Sequence, residues 1–527
     1  MGIESRIFNK ELLSRITTAE EAAKHIRDGM TVGTSGFTPC GYPKAVPLAV
    51  AERVRKGEPL RLSLLTGASV GVELDETWAD VNCIAKRFPY QTGKKINQRL
   101  NAGDTMFFDI HLSQMAQQLR YGFLGKMDVA IVEAVCILEN GGIVPSTSVG
   151  NSPTFLQQAE KVIIEVNTSQ PLELVGMSDI FIPADPPARH PLPITDVNQR
   201  MGTIYMPCDP RKIVAIVPCD IGDKTRPLAP IDEQSKAMAR HLIKFLEKNY
   251  GEVLPPLQSG VGNVANAVMA GLVESDYKNL KVWTEVIQDA MFDLIDAGKL
   301  NAVSGTSLSP SPEGLQRFYK NILKYRDKII LRPQEISNNA EIARRMGLIA
   351  MNTALEVDIY GNVNSTHTFG TTMVNGIGGS GDFSRNSGLV VFLTPSAAKK
   401  GAISCVVPHV THTDHTEHEV HMIVTDQGVA DLRGLDPKEK VPLIIENCAA
   451  PEYRPMLWDY FNRARKKVGG HTPMLLEEAF SWHVRFNETG TMKSQKSEKG
   501  VKVISKDTTA LLFPTLREGY CAGNEVK

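Results

Sequence analysis

Short apolar runs alternate along the chain with segments whose apolar positions recur every three or four residues. MTVGTSGF (30–37) reads as a strand entering a Gly-rich loop, with the helical AVPLAVAERVRKG (45–57) after it. LSLLTGAS (62–69), DVAIVEAVCI (128–137), KVIIEV (161–166), KIVAIVP (212–218), LKVW (280–283) and LVVFLT (389–394) also read as strands. EVHMIVTDQG (419–428) alternates like one. The nearly continuous apolar runs fit strands buried on both faces. Strands alternating with helical patterns predict an α/β chain built on open, largely parallel sheets.

The second half repeats the grammar of the first. QSGVGNVANAVMAGL (258–272) is a Gly-rich loop opening a helix, as is SGFTPCGYPKAVPLAV (35–50). GGIVPST (141–147) returns as GNVNST (361–366), and LLTG (64–67) as VWTE (282–285). The order of the three pairs is kept, which predicts two tandem α/β domains related by duplication. Pro, Asp and Gly cluster in PCDIGDKTRPLAP (218–230). Such a cluster between periodic segments marks a boundary, so the expected domains are 1–222 and 223–490. From about residue 430 the pattern turns helical. Residues 491–527 form a tail whose Lys/Ser-rich start (491–506) has no apolar periodicity, and it is expected to be partly flexible.

The 527 residues are 42% hydrophobic and 22% charged, with a net charge of −1. That balance gives no support for nucleic-acid or bilayer partners, and no apolar run approaches the ~20 residues of a membrane helix. The eight cysteines form no C-x-x-C pair, so neither a disulfide framework nor a zinc ribbon is indicated. MGIESRIFNKELL lacks the apolar core of a secretory signal. A soluble, reduced, cytoplasmic protein is expected.

Glu285 is the foremost chemical candidate. It stands where LKVW hands over to the helical pattern VIQDAMFDLIDAG (286–298), and its first-half counterpart is Gly67. In open α/β sheets ligands bind beyond the carboxyl ends of the strands. Position alone also allows a helix-start acid favoured by the macrodipole.

NGIGGSGDF (375–383) contains Gly376-x-Gly378-x-x-Gly381. A dinucleotide fingerprint opens a helix, and none is expected here, because DFSRNSG and a strand follow. A tight surface turn, or bare backbone N–H groups facing a ligand oxygen, both fit. Gln258–Gly262 form a second Gly loop, suited to an anion or a pantetheine-like chain and lacking the P-loop Gly-Lys-Ser/Thr. Asn338 with Glu341 fits a capping box. Lys399 and Lys400 could meet a phosphate or simply be solvated. His409, His412, His415, His418 and His421 recur every third residue, a spacing that fits neither helix nor strand. A polar loop near the site is the favoured reading over a metal site. The absence of G-x-S-x-G weakens a serine-hydrolase reading.

Several longer motifs occur in order: SGFTPCGYPKAVP, LPPLQSGVGNVANAV, WTEVIQD, LRPQEISNN, DIYGNVNSTH, NGIGGSGDF and VTDQGVADLRGL. With them the chain resembles the acetyl-CoA hydrolase/transferase family of class I coenzyme A transferases over about residues 5–490. The resemblance implies a homodimer of tandem α/β subunits that moves CoA between short-chain acids, succinyl-CoA and acetate foremost. Acyl-CoA hydrolysis is the alternative, and an NAD-binding oxidoreductase a distant third. It implies Glu285 as nucleophile, Asn338 and Gly379 as oxyanion donors, and no cofactor or metal. It places CoA contacts on Gln258, Ser259, Gly260, Val261, Gly262, Leu355, Asn375, Gly379 and Lys399. Asp426 would steady the site, and Arg226 would meet a substrate carboxylate. PHVTHTDH (408–415) departs from the family's more usual PMVSHVDH.

Overall fold

The computed structural model describes residues 2–494; the predicted flexible tail falls almost wholly outside them. Two open sheets dominate. The first contains β1 (Thr31–Thr34), β2 (Leu62–Leu65), β3 (Ile84–Phe88), β4 (Met106–Phe107), β5 (Val129–Ala134), β6 (Lys161–Asn167) and β7 (Ile213–Cys219). Their order is β4-β3-β2-β1-β5-β6-β7, parallel throughout. The second contains β8 (Leu257–Ser259), β9 (Leu280–Trp283), β10 (Leu300–Gly305), β11 (Ile329–Leu331), β12 (Ile349–Thr353), β13 (Leu389–Leu393), β14 (Met422–Thr425) and β15 (Gly428–Asp431). Its order is β11-β10-β9-β8-β12-β13-β14-β15, with only β15 antiparallel.

Apart from β15 the two orders correspond strand for strand. Even an irregularity repeats: the ladder skips a residue between Leu62 and Ser63 on β2, and between Leu280 and Lys281 on β9. Each sheet is followed at the same place by a short hairpin, Cys136–Ile137 with Ile143–Val144 and Glu356–Asp358 with Val363–Asn364. The repeated GGIVPST and GNVNST lie on the returning strands of these hairpins, as a duplication requires.

Burial explains the apolar runs. All six residues of β5 and all five of β13 are buried. On β13 the period of two divides two cores. Leu389, Val391 and Leu393 join the large core shared by both sheets. Val390 and Phe392 face a layer that includes the helices Pro437–Cys448, Arg454–Lys467 and Ser481–Thr489. Each fully buried aliphatic side chain contributes roughly 1.5–3 kcal/mol by leaving water. The C-terminal helical part is therefore a cover for one sheet face.

One predicted element is corrected. The helix expected over 286–298 begins at Asp289. Val286 and Ile287 instead pair in parallel with Ser307 and Leu308, so tertiary pairing overrides the helical period for one turn. The helix ends as expected at Gly298, whose φ of +69° suits only glycine without strain. Among the described residues no helix is long and apolar enough to cross a membrane.

Candidate active site

The chain order of the second sheet reverses at β8, which lies between β9 and β12, and the candidate residues gather at the carboxyl ends of these strands. Glu285 occupies the tight turn between β9 and the Val286–Ile287 strand, so it is not a helix-start acid. Of the Gly loop expected at Gln258–Gly262, Gln258 and Ser259 belong to β8 and only Gly260–Gly262 leave it, and the turn is tied to this stretch at two points. Thr284 Oγ1 donates to Ser259 O at 2.9 Å, and Gln288 Nε2 donates to Gly260 O at 3.1 Å. Glu285 O in turn accepts from the N–H groups of Thr306 and Ser307. The backbone is held, and the carboxylate is left to project into the crevice.

Asn338 meets it there. Trp283 at the end of β9 donates from Nε1 to Ser337 O at 2.7 Å, which brings the short helix Gln334–Ser337 and its terminal Asn338 alongside. Asn338 is buried, and its Nδ2 donates both to Glu285 Oε1 and, at 3.2 Å, to Asp382 Oδ2. Its Oδ1 accepts from Ser337 Oγ, so each end of the amide has a partner. The predicted capping box is displaced by one residue. Asn339, not Asn338, caps the helix Ala340–Met346, through bonds from the N–H groups of Glu341 and Ile342.

Gly379 closes the third side. A Cβ built on it would collide with Glu285 Oε1 and with Asn338 Nδ2, so no side chain fits. The three residues singled out as catalytic thus lie in mutual contact. Burial pushes the Glu285 carboxyl up to about 7; the Asn338 hydrogen bond opposes this and the nearby Asp382 adds to it. Burial likewise raises Asp382 to about 7, against hydrogen bonds from Ser113 and Asn338.

The Gly loop at 376–381 is pinned by the first half of the chain. Asp109 accepts from Ile377 N at 2.9 and 3.0 Å, Leu112 N donates to Gly378 O, and Asp382 accepts from Ser113 N and Oγ at 2.9 and 2.6 Å. The Tyr90 ring lies 3.1–3.3 Å from where Cβ atoms on Gly376 and Gly378 would stand. Contrary to the sequence reading, this loop does open a helix, Ser380–Ser384, with Gly379 as its N-cap. That helix is five residues long and follows a small hairpin, His367–Thr368 with Thr372–Met373, rather than a strand of the main sheet.

The other candidates divide. Gln258 is spent internally, exchanging amide bonds with Asn352 and accepting from Met351 N, and Ser259 is buried. Gly260, Val261 and Gly262 carry the loop outward, with Val261 exposed. Leu355 N bonds to Asn364 O, and Asn375 Nδ2 bonds to Ser365 O and Gly376 O, both in the wall beside the loop. Arg226 donates to Thr92 Oγ1 at 2.7 Å. Burial raises the Tyr90 hydroxyl; the charge of Glu285 adds to this and Arg226 opposes it, which puts all three in electrostatic reach. Lys399 and Asp426 lie apart. Lys399 Nζ sits over the Phe486 ring, and Asp426 accepts from Ser396 N and Oγ, steadying the loop that leads to Lys399. Neither bonds to Glu285, Asn338 or Gly379.

Sequence reasoning passed over Asp382, Ser113, Asp109 and Tyr90. Asp382 was within reach, since it belongs to NGIGGSGDF. The other three come from the first half and carry no local signal.

The histidine series breaks into individual contacts. His409 packs on Tyr360, His412 on His367, His421 Nδ1 accepts from Val390 N, and His418 is exposed. His415 alone reaches the Gly loop. Among the described residues no group of three His, Cys, Asp or Glu side chains is placed to hold a metal ion.

Residues 3–218 match the acetyl-CoA hydrolase/transferase N-terminal domain, and residues 314–461 its C-terminal domain. The chain is 55% identical over 496 residues to the succinyl-CoA:acetate CoA-transferase of Clostridium kluyveri, covering 93% of this chain and 92% of that one. It is 45% identical over 514 residues to the acetyl-CoA hydrolase of Schizosaccharomyces pombe, covering 93% and 98%. In fold it resembles the solved 4-hydroxybutyrate CoA-transferase of Porphyromonas gingivalis, with a TM-score of 0.60 at 20% identity over 86% of this chain and 99% of that one. With both family domains in place and whole-length relatives at this identity, the chain is an enzyme belonging to the acetyl-CoA hydrolase/transferase family.

Proposed function

We propose that the protein transfers CoA between short-chain carboxylic acids, with succinyl-CoA and acetate as the leading pair, through covalent intermediates on Glu285. The observation that carries this reading is the meeting of one carboxylate, one amide donor and one obligatory glycine at a single point. The Glu285 carboxylate attacks the thioester carbonyl, and the oxyanion that forms is met by Asn338 Nδ2–H and the Gly379 N–H. Collapse expels CoA as thiolate and leaves an acyl-glutamyl anhydride. The thiolate attacks the glutamyl carbonyl, releases the first acid and forms a glutamyl-CoA thioester. An incoming carboxylate runs the steps backwards. Thioester energy is conserved, the barrier is divided, and electrons balance without a metal or redox cofactor. Gly260–Gly262 would line the path of the CoA chain, and Arg226 would face the carboxylate of a dicarboxylic acid.

Hydrolysis is the second reading, favoured by the fungal relative and served by the same acid. It differs only in letting water take the acyl or glutamyl group. One assay separates them: succinyl-CoA is incubated with and without acetate, and total thioester is followed beside succinyl-CoA. Transfer requires acetate to speed the loss of succinyl-CoA while total thioester holds. Equal loss of total thioester in both arms would sink it. Glu285→Ala is expected to lower exchange by about 10⁴-fold or more while CoA still binds; retained exchange refutes the nucleophile.

A further inference from the structure

We infer that His415 is a positioning residue for the Gly379 donor, acting through Ser380. The inference rests on the reading of Gly379 as a donor to the reacting oxygen. Gly379 has to be glycine, because any side chain collides with Glu285. A glycine has no side chain to anchor it and wide backbone freedom, so the direction of its N–H is set by its neighbours. On one side Asp109 holds Ile377 N. On the other, Ser380 Oγ donates to Ile377 O at 2.8 Å and lies 2.9 Å from His415 Nε2. Ser380 Oγ thus bridges the Ile377 carbonyl and the His415 ring, whose role at Nε2 follows from its tautomer.

The imidazole is itself fixed from every side. Nδ1 faces Glu419 Oε1 at 3.1 Å and Ser384 Oγ at 3.3 Å. Glu419 pairs with Arg385, and the Phe392 ring lies 4.7 Å from the imidazole. The backbone of His415 exchanges hydrogen bonds with Val363 on the returning strand of the second-half hairpin. His415 therefore touches the first and last residues of the helix Ser380–Ser384 and clamps the segment immediately behind Gly379. A fully buried histidine joined to a serine and a glutamate invites comparison with a hydrolytic triad. The bridge from Ser380 Oγ to the Ile377 carbonyl argues for holding instead of attack.

The test uses the full-length enzyme and compares Ser380→Ala, His415→Ala, His415→Gln and the Ser380→Ala/His415→Ala double variant. The expected result is a 10- to 100-fold fall in kcat for Ser380→Ala and His415→Ala, with KM for acyl-CoA changed less than about threefold. The double variant should be no slower than the slower single, because the two residues form one chain of contacts. His415→Gln, whose amide can still bond to Ser380, should recover most of the loss. Wild-type kcat in Ser380→Ala overturns the inference, as do additive losses in the double variant. Should His415→Ala fail to fold, Ser380→Ala alone still decides. Failure here is distinct from failure of the nucleophile, since that is read from Glu285→Ala, whatever the clamp variants do.

Discussion

The two halves solve the same crevice in opposite ways. Both sheets reverse direction at their first strand, and both run Thr-x beyond the second: Thr66-Gly67 after β2, Thr284-Glu285 after β9. In the second half the crevice holds Glu285, against Asn338 and Gly379. In the first half it is filled by the chain's own charges. Lys44 bonds to Glu133 at 2.5 Å and to Asp223 at 2.9 Å, and all three side chains are fully buried. Ser146, Asn167 and Gln170 complete the network, and Glu165 accepts from the N–H groups of Lys44, Ala45 and Val46. Gly67 sits with Gly36 O 2.6 Å from where its Cβ would be, so a glutamate has no room there. The duplicated fold therefore carries an acid at this turn in one half only, and the other half has closed the corresponding place from within. Asp223 also ties the segment between the sheets to this plug through Gly41 N and Thr147. The closed half thereby anchors the stretch that presents Arg226.

The sharpest way to break this comparison is to unbalance the plug. Lys44→Met would leave Glu133 and Asp223 buried without their cation. Burial pushes the Glu133 carboxyl up even with Lys44 opposing it. Removing one member of a buried ion pair costs about 3–5 kcal/mol. Urea unfolding should show a loss of that size, and a change below about 1 kcal/mol would mean that packing, not charge, closes the first crevice.

A matched pair of glycine substitutions sharpens it. Gly379→Ala drives a methyl group into Glu285 and Asn338, so the expected loss is ~10²- to 10³-fold in kcat, the scale of a lost oxyanion donor. Gly67→Ala drives one into the Gly36 carbonyl, away from Glu285 and Asn338 themselves, so the expected loss is ~1–3 kcal/mol of stability from overpacking, with a smaller effect on kcat. The contrast is read from kinetics and thermal unfolding on both variants. Equal effects on kcat would mean that the two crevices are not functionally distinct.

What was legible in the chain follows the range of the interactions. Strand runs, Gly loops and the duplication are written in local pattern, and Glu285 could be found because its junction is local. Asn338 is where local reading fails by one position. Two consecutive asparagines compete, Asn339 takes the cap, and Asn338 is released to the acid by a bond between Trp283 and Ser337. The helix start slipped from 286 to 289 because Val286 and Ile287 found partners 21 residues on, at Ser307 and Leu308. Asp109 and Ser113 were invisible, since their partners lie 268 and 269 residues away. The every-third spacing of the histidines proved to be no site of its own; only His415 reaches the loop at Gly379.

The smallest expected effect concerns the acid itself. The Glu285 carboxyl, normally near 4.5, is raised to about 7 by burial, so the folded state holds its proton more tightly than the unfolded chain does. Below about pH 4.5 both states are protonated and the group costs nothing. Between about 4.5 and 7 the unfolded chain ionises first and gains, so the native state loses stability as pH rises. Above about 7 the penalty is complete, at roughly 1–3 kcal/mol after allowance for partial exposure. Glu285→Gln keeps an oxygen for Asn338 and removes the charge. It should therefore unfold at higher denaturant than the parent at pH 8, by that amount, with the advantage fading towards pH 4.5. An advantage that does not change with pH would assign the effect to packing. Its absence at pH 8 would mean that the second crevice hydrates its acid as well as water does, and the carboxylate would then be an ordinary surface group rather than one buried without the cation that the first crevice supplies to its acids at Lys44.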